Sequence, residues 1–222
     1  MILPTFYREK ALFSDGAAVV IGCDEVGRGC LAGPVVAAAV VMPRELRKGW
    51  KTLVRDSKTL SQSQRERAAE FIREHAVAFA VGEVDAATID RMNIHHASLE
   101  AMRRAAVSLL SKACPEERGK GVGVVGVLVD GKFIIPNVGN SVSDIKVYQQ
   151  AVVGGDAKSI AIAAASIIAK VHRDALMTML ETQFPAYGFA QHKGYATAQH
   201  RSAILVHGLT VHHRRTFCKA FL

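Results

Sequence analysis

The sequence predicts an α/β fold: a mixed five-stranded sheet flanked by helices, with a small helical lobe at the C-terminus. Three observations predict it. Five short apolar runs rich in β-branched residues fall between Ala18 and Val153. Ala161 to Leu180 is Ala-rich and holds no Gly or Pro, which is the pattern of a long buried helix. Beyond residue 181 only short helical patterns remain.

The elements follow in order. Ala18 to Cys23 reads as a buried strand that ends at Asp24-Glu25, and Gly27-Arg28-Gly29 is a turn. Pro34 to Met42 is the second strand. Ser61 caps a helix, with Arg and Glu at helical spacing after it. Ala76 to Val84 is the third strand, and Asn93 to Ala113 carries the apolar stripe of a long amphipathic helix. Gly123 to Val129 is a strand ending at Asp130-Gly131; Val147 to Val153 is another, ending at Gly154-Gly155-Asp156. Pro185 to Tyr195 reads as a loop, and 196–207 and 211–221 as short helices. Residues 1–180 then form the core and 181–222 a lobe packed on it, in one continuous domain.

Composition narrows the function. Of 222 residues, 28 are Lys or Arg and 20 are Asp or Glu, a net charge of +8 that favours an anionic partner, nucleic acid first. The longest apolar run, Leu31 to Met42, is too short to span a membrane, and the first ten residues do not read as a secretory leader. Cys23, Cys30, Cys114 and Cys218 are scattered, as reduced thiols of a cytoplasmic protein are.

Asp24, Asp130 and Asp156 each sit just past an apolar strand beside a glycine, and Glu25 adjoins the first. Strand ends of open sheets are where ligands bind. If the strands are neighbours, the acids converge, and a divalent cation relieves their repulsion. Hard oxygen ligands without His or Cys suit Mg²⁺ or Mn²⁺. Any one of these acids reads equally well as a turn residue or helix cap.

Several motifs resemble those of the ribonuclease HII family, the type 2 ribonucleases H. They are Ile21-Gly22-Cys23-Asp24-Glu25-Val26-Gly27-Arg28-Gly29 with Leu31-Ala32-Gly33-Pro34-Val35-Val36, Asp56-Ser57-Lys58-Thr59-Leu60, Val129-Asp130-Gly131, and Ala163 to Lys170. Tyr187-Gly188-Phe189, His192-Lys193-Gly194-Tyr195 and His212-His213-Arg214-Arg215 match as well, in the family's order from about residue 18 to 217. The resemblance implies a ribonuclease H-like fold and a metal-dependent endonuclease that uses Mn²⁺ or Mg²⁺. Its substrates would be RNA–DNA hybrids and duplex DNA with embedded ribonucleotides, cut 5′ of the ribonucleotide to leave 3′-hydroxyl and 5′-phosphate ends. Its biological jobs would be removing RNA primers and misincorporated ribonucleotides. Asp24, Glu25, Asp130 and Asp156 take the family's catalytic, metal-binding positions. The family usually has Lys-Gly-Asp where this chain has Gly154-Gly155-Asp156, so one basic side chain is missing there.

The resemblance also implies how substrate is chosen. The Gly27-Arg28-Gly29 turn would read the ribose 2′-hydroxyl through its backbone, and Tyr195 would pack on the next deoxyribose. Arg28 reads equally as a phosphate clamp, and Tyr195 as a packed anchor. Lys58, Arg173, Lys193, Arg214 and Arg215 are the expected phosphate contacts, with Lys58 and Lys193 assigned to substrate binding. A replication clamp is a candidate partner, no membrane is expected, and the expected state is a monomer. Two other readings compete: a non-catalytic nucleic-acid-binding module, and a transposase-like DNA nuclease of the same broad fold.

Other motifs are set aside. Gly121 to Gly126 fits G-x-G-x-x-G but runs into a strand, not a helix. His95-His96 and His212-His213 are adjacent pairs that cannot share one metal from a regular helix, and read as surface or core packing. Asp174 is expected to partner a nearby base, and Asp56 to order its own loop.

Overall fold

Helix and strand nuclei in the computed structural model follow the apolar patterning, and the described residues are 3–113, 123–139 and 145–221. Cys114, and Gly121-Val122 of the glycine motif, lie outside them. In chain order the elements are α1 (Tyr7–Ser14), β1 (Val19–Val26), β2 (Val35–Val41), α2 (Lys48–Leu53), α3 (Gln62–His75), β3 (Ala78–Val84) and α4 (Ala86–Ala113). After these come β4 (Gly123–Asp130), β5 (Ile145–Val152), α5 (Ile160–Gln183), α6 (Phe189–His192), α7 (Ala198–His207) and α8 (Arg215–Cys218).

The five strands form one sheet in the order β3-β2-β1-β4-β5. β1 pairs antiparallel with β2 and parallel with β4; β2–β3 is antiparallel and β4–β5 parallel. The sheet is therefore mixed, and its central strands are covered on both faces. α5 and α3 cover one face, over Val20, Val36, Ala38, Val40 and Leu128. α4 covers the other, over Ile21, Cys23, Ala37, Ala39, Val127 and Val129. The alternation of these residues is the period of two that a strand imposes. β2 is buried along its whole length, and its three central alanines leave room for a helix on each side.

Gly22 shows how closely α5 lies on β1. A Cβ there would stand 2.2 Å from the carbonyl carbon of Ala161, so only glycine fits. α5 begins at a capped end: Ser159 Oγ accepts from Ile162 N–H at 3.2 Å. Glu9 of α1 reinforces that end, accepting from Ser159 O–H at 2.6 Å and Ala161 N–H at 2.8 Å.

Differences from expectation have local causes. α4 starts at Ala86, ahead of the expected Asn93. Asn93 breaks it with φ 65° and ψ 164°, and its Oδ1 accepts from His95 and His96 N–H, capping the segment that the periodicity had marked. The helix expected over 211–221 shrinks to Arg215–Cys218 and a 3₁₀ turn. Residues 212–214 are drawn into backbone pairing instead: Gly33 N–H donates to His212 O, Arg214 N–H donates to Leu31 O, and Ala32 bridges His213. This pairing helps hold a third apolar cluster together. Leu31 and Ala32 pack there with Met177, Tyr187, Phe189 and Ile204. Among the described residues no helix is long and apolar enough to cross a membrane, and Cys23, Cys30 and Cys218 are free and buried.

Candidate active site

The parallel register of β1 and β4 brings the first acids together. The last pair is Cys23 with Val129, so Asp24 and Asp130 are the next residues on adjacent strands. The pleat turns both toward the α5 face, where Asp24 meets the Ser166 hydroxyl. Glu25 follows on the same strand, with its Oε1 2.8 Å from Arg28 Nη1. Asp156 arrives from the 3₁₀ turn Gly155–Ala157 that follows β5. In that turn Gly155 N–H donates to Asp130 Oδ1 at 2.6 Å, tying the third and fourth acids together. Gly154 supplies the left-handed residue the turn needs, φ +62°, and a side chain there would point into open space.

Asp24 and Asp156 are buried, and the Glu25 side chain is nearly so. Burial holds the Asp24 carboxyl well above the usual carboxylate range, and the charges of Glu25 and Asp130 push it further. Burial also raises Glu25, against the hydrogen bond from Arg28. Burial raises Asp130, opposed by the Gly155 N–H. Lys58 Nζ sits 2.9 Å from Asp156 Oδ2, and that hydrogen bond raises the lysine.

Among the described residues no three His, Cys, Asp or Glu side chains are drawn into a ready coordination shell. The carboxylates are instead taken up by protein donors. Among the described residues Glu25 Oε2 is the one fully buried oxygen of these four carboxylates without a hydrogen-bond partner. Crowded, buried, acid-only oxygens with one orphan among them fit a divalent cation, whose charge would repay both the burial and the repulsion.

Asp24, Glu25 and Asp130 border one cleft with the 27–29 turn, Ser57, Lys58, Arg65, Ser166, Lys170 and Tyr195. Gly27 has φ +89°, and a Cβ on it would lie 2.2 Å from Arg173 Nε. Behind the turn Arg214 donates to Gly27 O at 2.7 Å, Arg28 O at 2.8 Å and Gly33 O at 2.9 Å. Arg173 donates to Pro34, Lys193 and Ala32 carbonyls at 2.8–3.0 Å. Both arginines have no exposed surface. They are thus corrected from phosphate contacts to internal braces: three backbone segments turn their carbonyls inward and need donors. Arg215 is exposed.

Tyr195 is 43% exposed on the cleft wall, with Lys170 Nζ 6.0 Å from its ring centre. Lys193 turns away from the cleft; its ammonium donates to Thr178 Oγ1 on α5 at 3.0 Å. Asp174 pairs with Lys170 at 2.8 Å, and Asp56 caps its own turn by accepting from Lys58 N–H at 2.9 Å. The sequence reading missed Ser166 and Lys170 as site residues. Ser166 was legible as the one hydroxyl inside the apolar run from Ile160 to Ala169, and its Oγ lies 3.0 Å from Ser57 Oγ.

The family profile described as Ribonuclease HII matches residues 21–220. A ribonuclease HII of Halorhodospira halophila is 47% identical over 204 residues, covering 92% of this chain and 94% of that one. Among solved structures, ribonuclease H2 of Pyrococcus horikoshii superposes with TM-score 0.71 at 25% identity, over 91% of this chain and 96% of that one. Ribonuclease HII of Archaeoglobus fulgidus, solved as a complex with PCNA, superposes with TM-score 0.66 at 28% identity, over 88% and 93%.

Proposed function

The chain belongs to the ribonuclease HII family and is a ribonuclease H, and from this premise we propose how it selects and cuts its substrate. It hydrolyses the RNA strand of RNA–DNA hybrids and cuts 5′ of ribonucleotides embedded in duplex DNA, leaving 3′-hydroxyl and 5′-phosphate ends. Primer and misincorporated-ribonucleotide removal in the cytoplasm is the corresponding role. The observation that carries this reading is three carboxylates, Asp24, Glu25 and Asp130, lining one cleft beside a braced glycine turn, with Asp156 close enough for its charge to act on Asp24 and Asp130.

Asp24, Glu25, Asp130 and Asp156 would hold Mn²⁺ or Mg²⁺. When bound, the metal supplies Lewis acidity toward the phosphodiester and makes an attacking water acidic at neutral pH. The chain's own residues do the rest. The backbone of Gly27, Arg28 and Gly29 reads the 2′-hydroxyl, which both donates and accepts. Arg214 occupies two of the turn's carbonyls, Gly27 O and Arg28 O, and so fixes the orientation of its backbone. Tyr195 packs on the neighbouring sugar, and Lys58, Lys170 and Arg28 offer cations at the mouth. Lys193, expected as a phosphate contact, acts only indirectly: its ammonium is held by Thr178 away from the cleft, and its carbonyl anchors Arg173 next to the turn.

Residues 181–222 act with 1–180 as one catalytic domain, because α5 and the third apolar cluster run across that boundary. The protein works as a monomer. A sliding clamp is a partner this reading admits, on the strength of the Archaeoglobus complex.

The experiment is an assay on duplex DNA with one ribonucleotide, in Mn²⁺ or Mg²⁺, with the cut mapped. Cleavage 5′ of the ribonucleotide, lost in Asp24→Asn while duplex binding persists, supports the reading. Cleavage of all-DNA duplexes, or binding without cleavage by the wild type, overturns it.

A further inference from the structure

Three buried histidines stand behind Tyr195. His192, His200 and His213 are 8%, 0% and 3% exposed. The rings of His192 and His200 stack at 4.3 Å, and His200 Nε2 lies 3.0 Å from His213 Nε2. Two facing ring nitrogens can bond only if one carries the proton and the other does not.

The surrounding groups fix which. Thr210 N–H donates to His213 Nδ1 at 3.0 Å, so that nitrogen is bare and the neutral ring carries its proton on Nε2. His213 therefore donates to His200 Nε2. His200 is left with its proton on Nδ1, 2.9 Å from the Tyr195 carbonyl. His192 follows the same logic separately: Gly194 N–H donates to its Nδ1 at 3.1 Å, and its Nε2–H donates to Tyr187 O at 2.7 Å. Assigned from the hydrogen-bond network in this way, one set of tautomers satisfies all six ring nitrogens. Burial favours the neutral rings, holding His200 below the usual range and His213 at about 4.

These bonds grip the backbone on both sides of the Tyr195 Cα. Tyr195 N–H donates to His192 O at 2.9 Å, and the Tyr195 carbonyl accepts from Thr197 N–H at 2.8 Å and, as its only side-chain donor among the described residues, from His200. We propose that His200 is a positioning residue for Tyr195, and that His213 acts through it by holding it in the one tautomer able to donate to the Tyr195 carbonyl. Its consequence for substrate choice rests on the proposed reading of Tyr195 as the sugar contact.

The test compares two side chains of equal size at position 200. His200→Asn places an N–H near the lost Nδ1–H; His200→Asp places only acceptors there. The free proteins are labelled with ¹³C-tyrosine, and thermal melts establish that they fold. The Tyr195 ring signal should stay at its wild-type shift in His200→Asn and move or broaden in His200→Asp. On a duplex with one ribonucleotide, His200→Asp should lose about ten-fold in kcat/KM, matching Tyr195→Ala, with no further loss in the double variant. His200→Asn should recover most of that loss. If the position-200 variants do not fold, His213→Gln against His213→Leu reads the same relay one ring further back. An unmoved Tyr195 signal in a folded His200→Asp protein, or losses that multiply in the double variant, overturns the proposal. Wild-type kinetics in Tyr195→Ala would instead remove the sugar-contact reading, leaving the NMR comparison to decide the positioning.

Discussion

Arg214→Met removes a guanidinium while keeping most of the volume of its stem. The magnitude follows from opposed terms. Arg214 has no exposed surface, and among the described residues it forms no salt bridge. Burial, with the like charge of Arg173 beside it, pulls its pKa down to about 10, which at about 1.4 kcal/mol per unit is a net cost of roughly 3 kcal/mol to keeping the charge there. Against this stand three carbonyl partners, Gly27, Arg28 and Gly33. Hydrogen bonds to a charged group contribute about 1.5–3 kcal/mol each. The net loss in Arg214→Met is therefore about 3 kcal/mol, and Arg214→Lys should recover less than half, because an ammonium lacks the fork that reaches several carbonyls. Urea unfolding measures it: with a slope of about 2–3 kcal/mol/M the midpoint should fall by about 1 M. Cleavage of a ribonucleotide-bearing duplex should also fall about ten-fold where the variant is fully folded, since the 27–29 turn loses its brace. A midpoint within about 0.2 M of wild type would show that the buried charge costs as much as its bonds return, and would refute the bracing argument.

Two further outcomes follow from the same contacts. Gly22→Ala sets a methyl group 2.2 Å from the Ala161 carbonyl carbon. The clash is with backbone, so calorimetry should show a loss near the upper end of the usual overpacking cost, about 3 kcal/mol, and a fall in Tm of about 6–12 °C. His213 has its folded pKa depressed to about 4. Its neutral form is the folded form, so its contribution is fully present above pH 6.5 and is lost as the pH falls toward 4, by at most about 3 kcal/mol. Wild type minus His213→Gln, compared by urea midpoint at pH 7.5 and 4.5, isolates that share from the carboxylates; equal losses in both proteins would contradict it.

What the sequence revealed, and what it hid, divides along physical lines. The five strands were legible as short apolar runs rich in β-branched residues, and α5 because nothing in Ala161 to Leu180 competes with a helix. α1 was not. It has no side-chain cap, and its buried positions are Glu9 and Leu12, one of them a carboxylate whose partners Ser159 and Ala161 lie some 150 residues away. Asp24, Glu25 and Asp130 stood out because a charge at the end of an apolar strand is locally conspicuous. The arginines misled for the opposite reason. A buried guanidinium bonded to carbonyls reads in sequence like any basic residue beside a nucleic-acid motif, and Arg214 finds Gly27 across 187 positions. The histidine relay was equally hidden, since a tautomer chain needs three rings in contact and no spacing announces it.

The proposed cleavage requires Asp24, Glu25, Asp130 and Asp156 to bind divalent metal together. Titrating Mn²⁺ into the nucleic-acid-free protein, with the free ion followed by its electron paramagnetic resonance signal, tests this without any cleavage step. Wild type should bind Mn²⁺ saturably, and Asp24→Asn should bind it at least about ten-fold more weakly, with a matching loss of metal-induced thermal stabilisation. Equal Mn²⁺ binding by the two proteins, or none by the wild type, would contradict it.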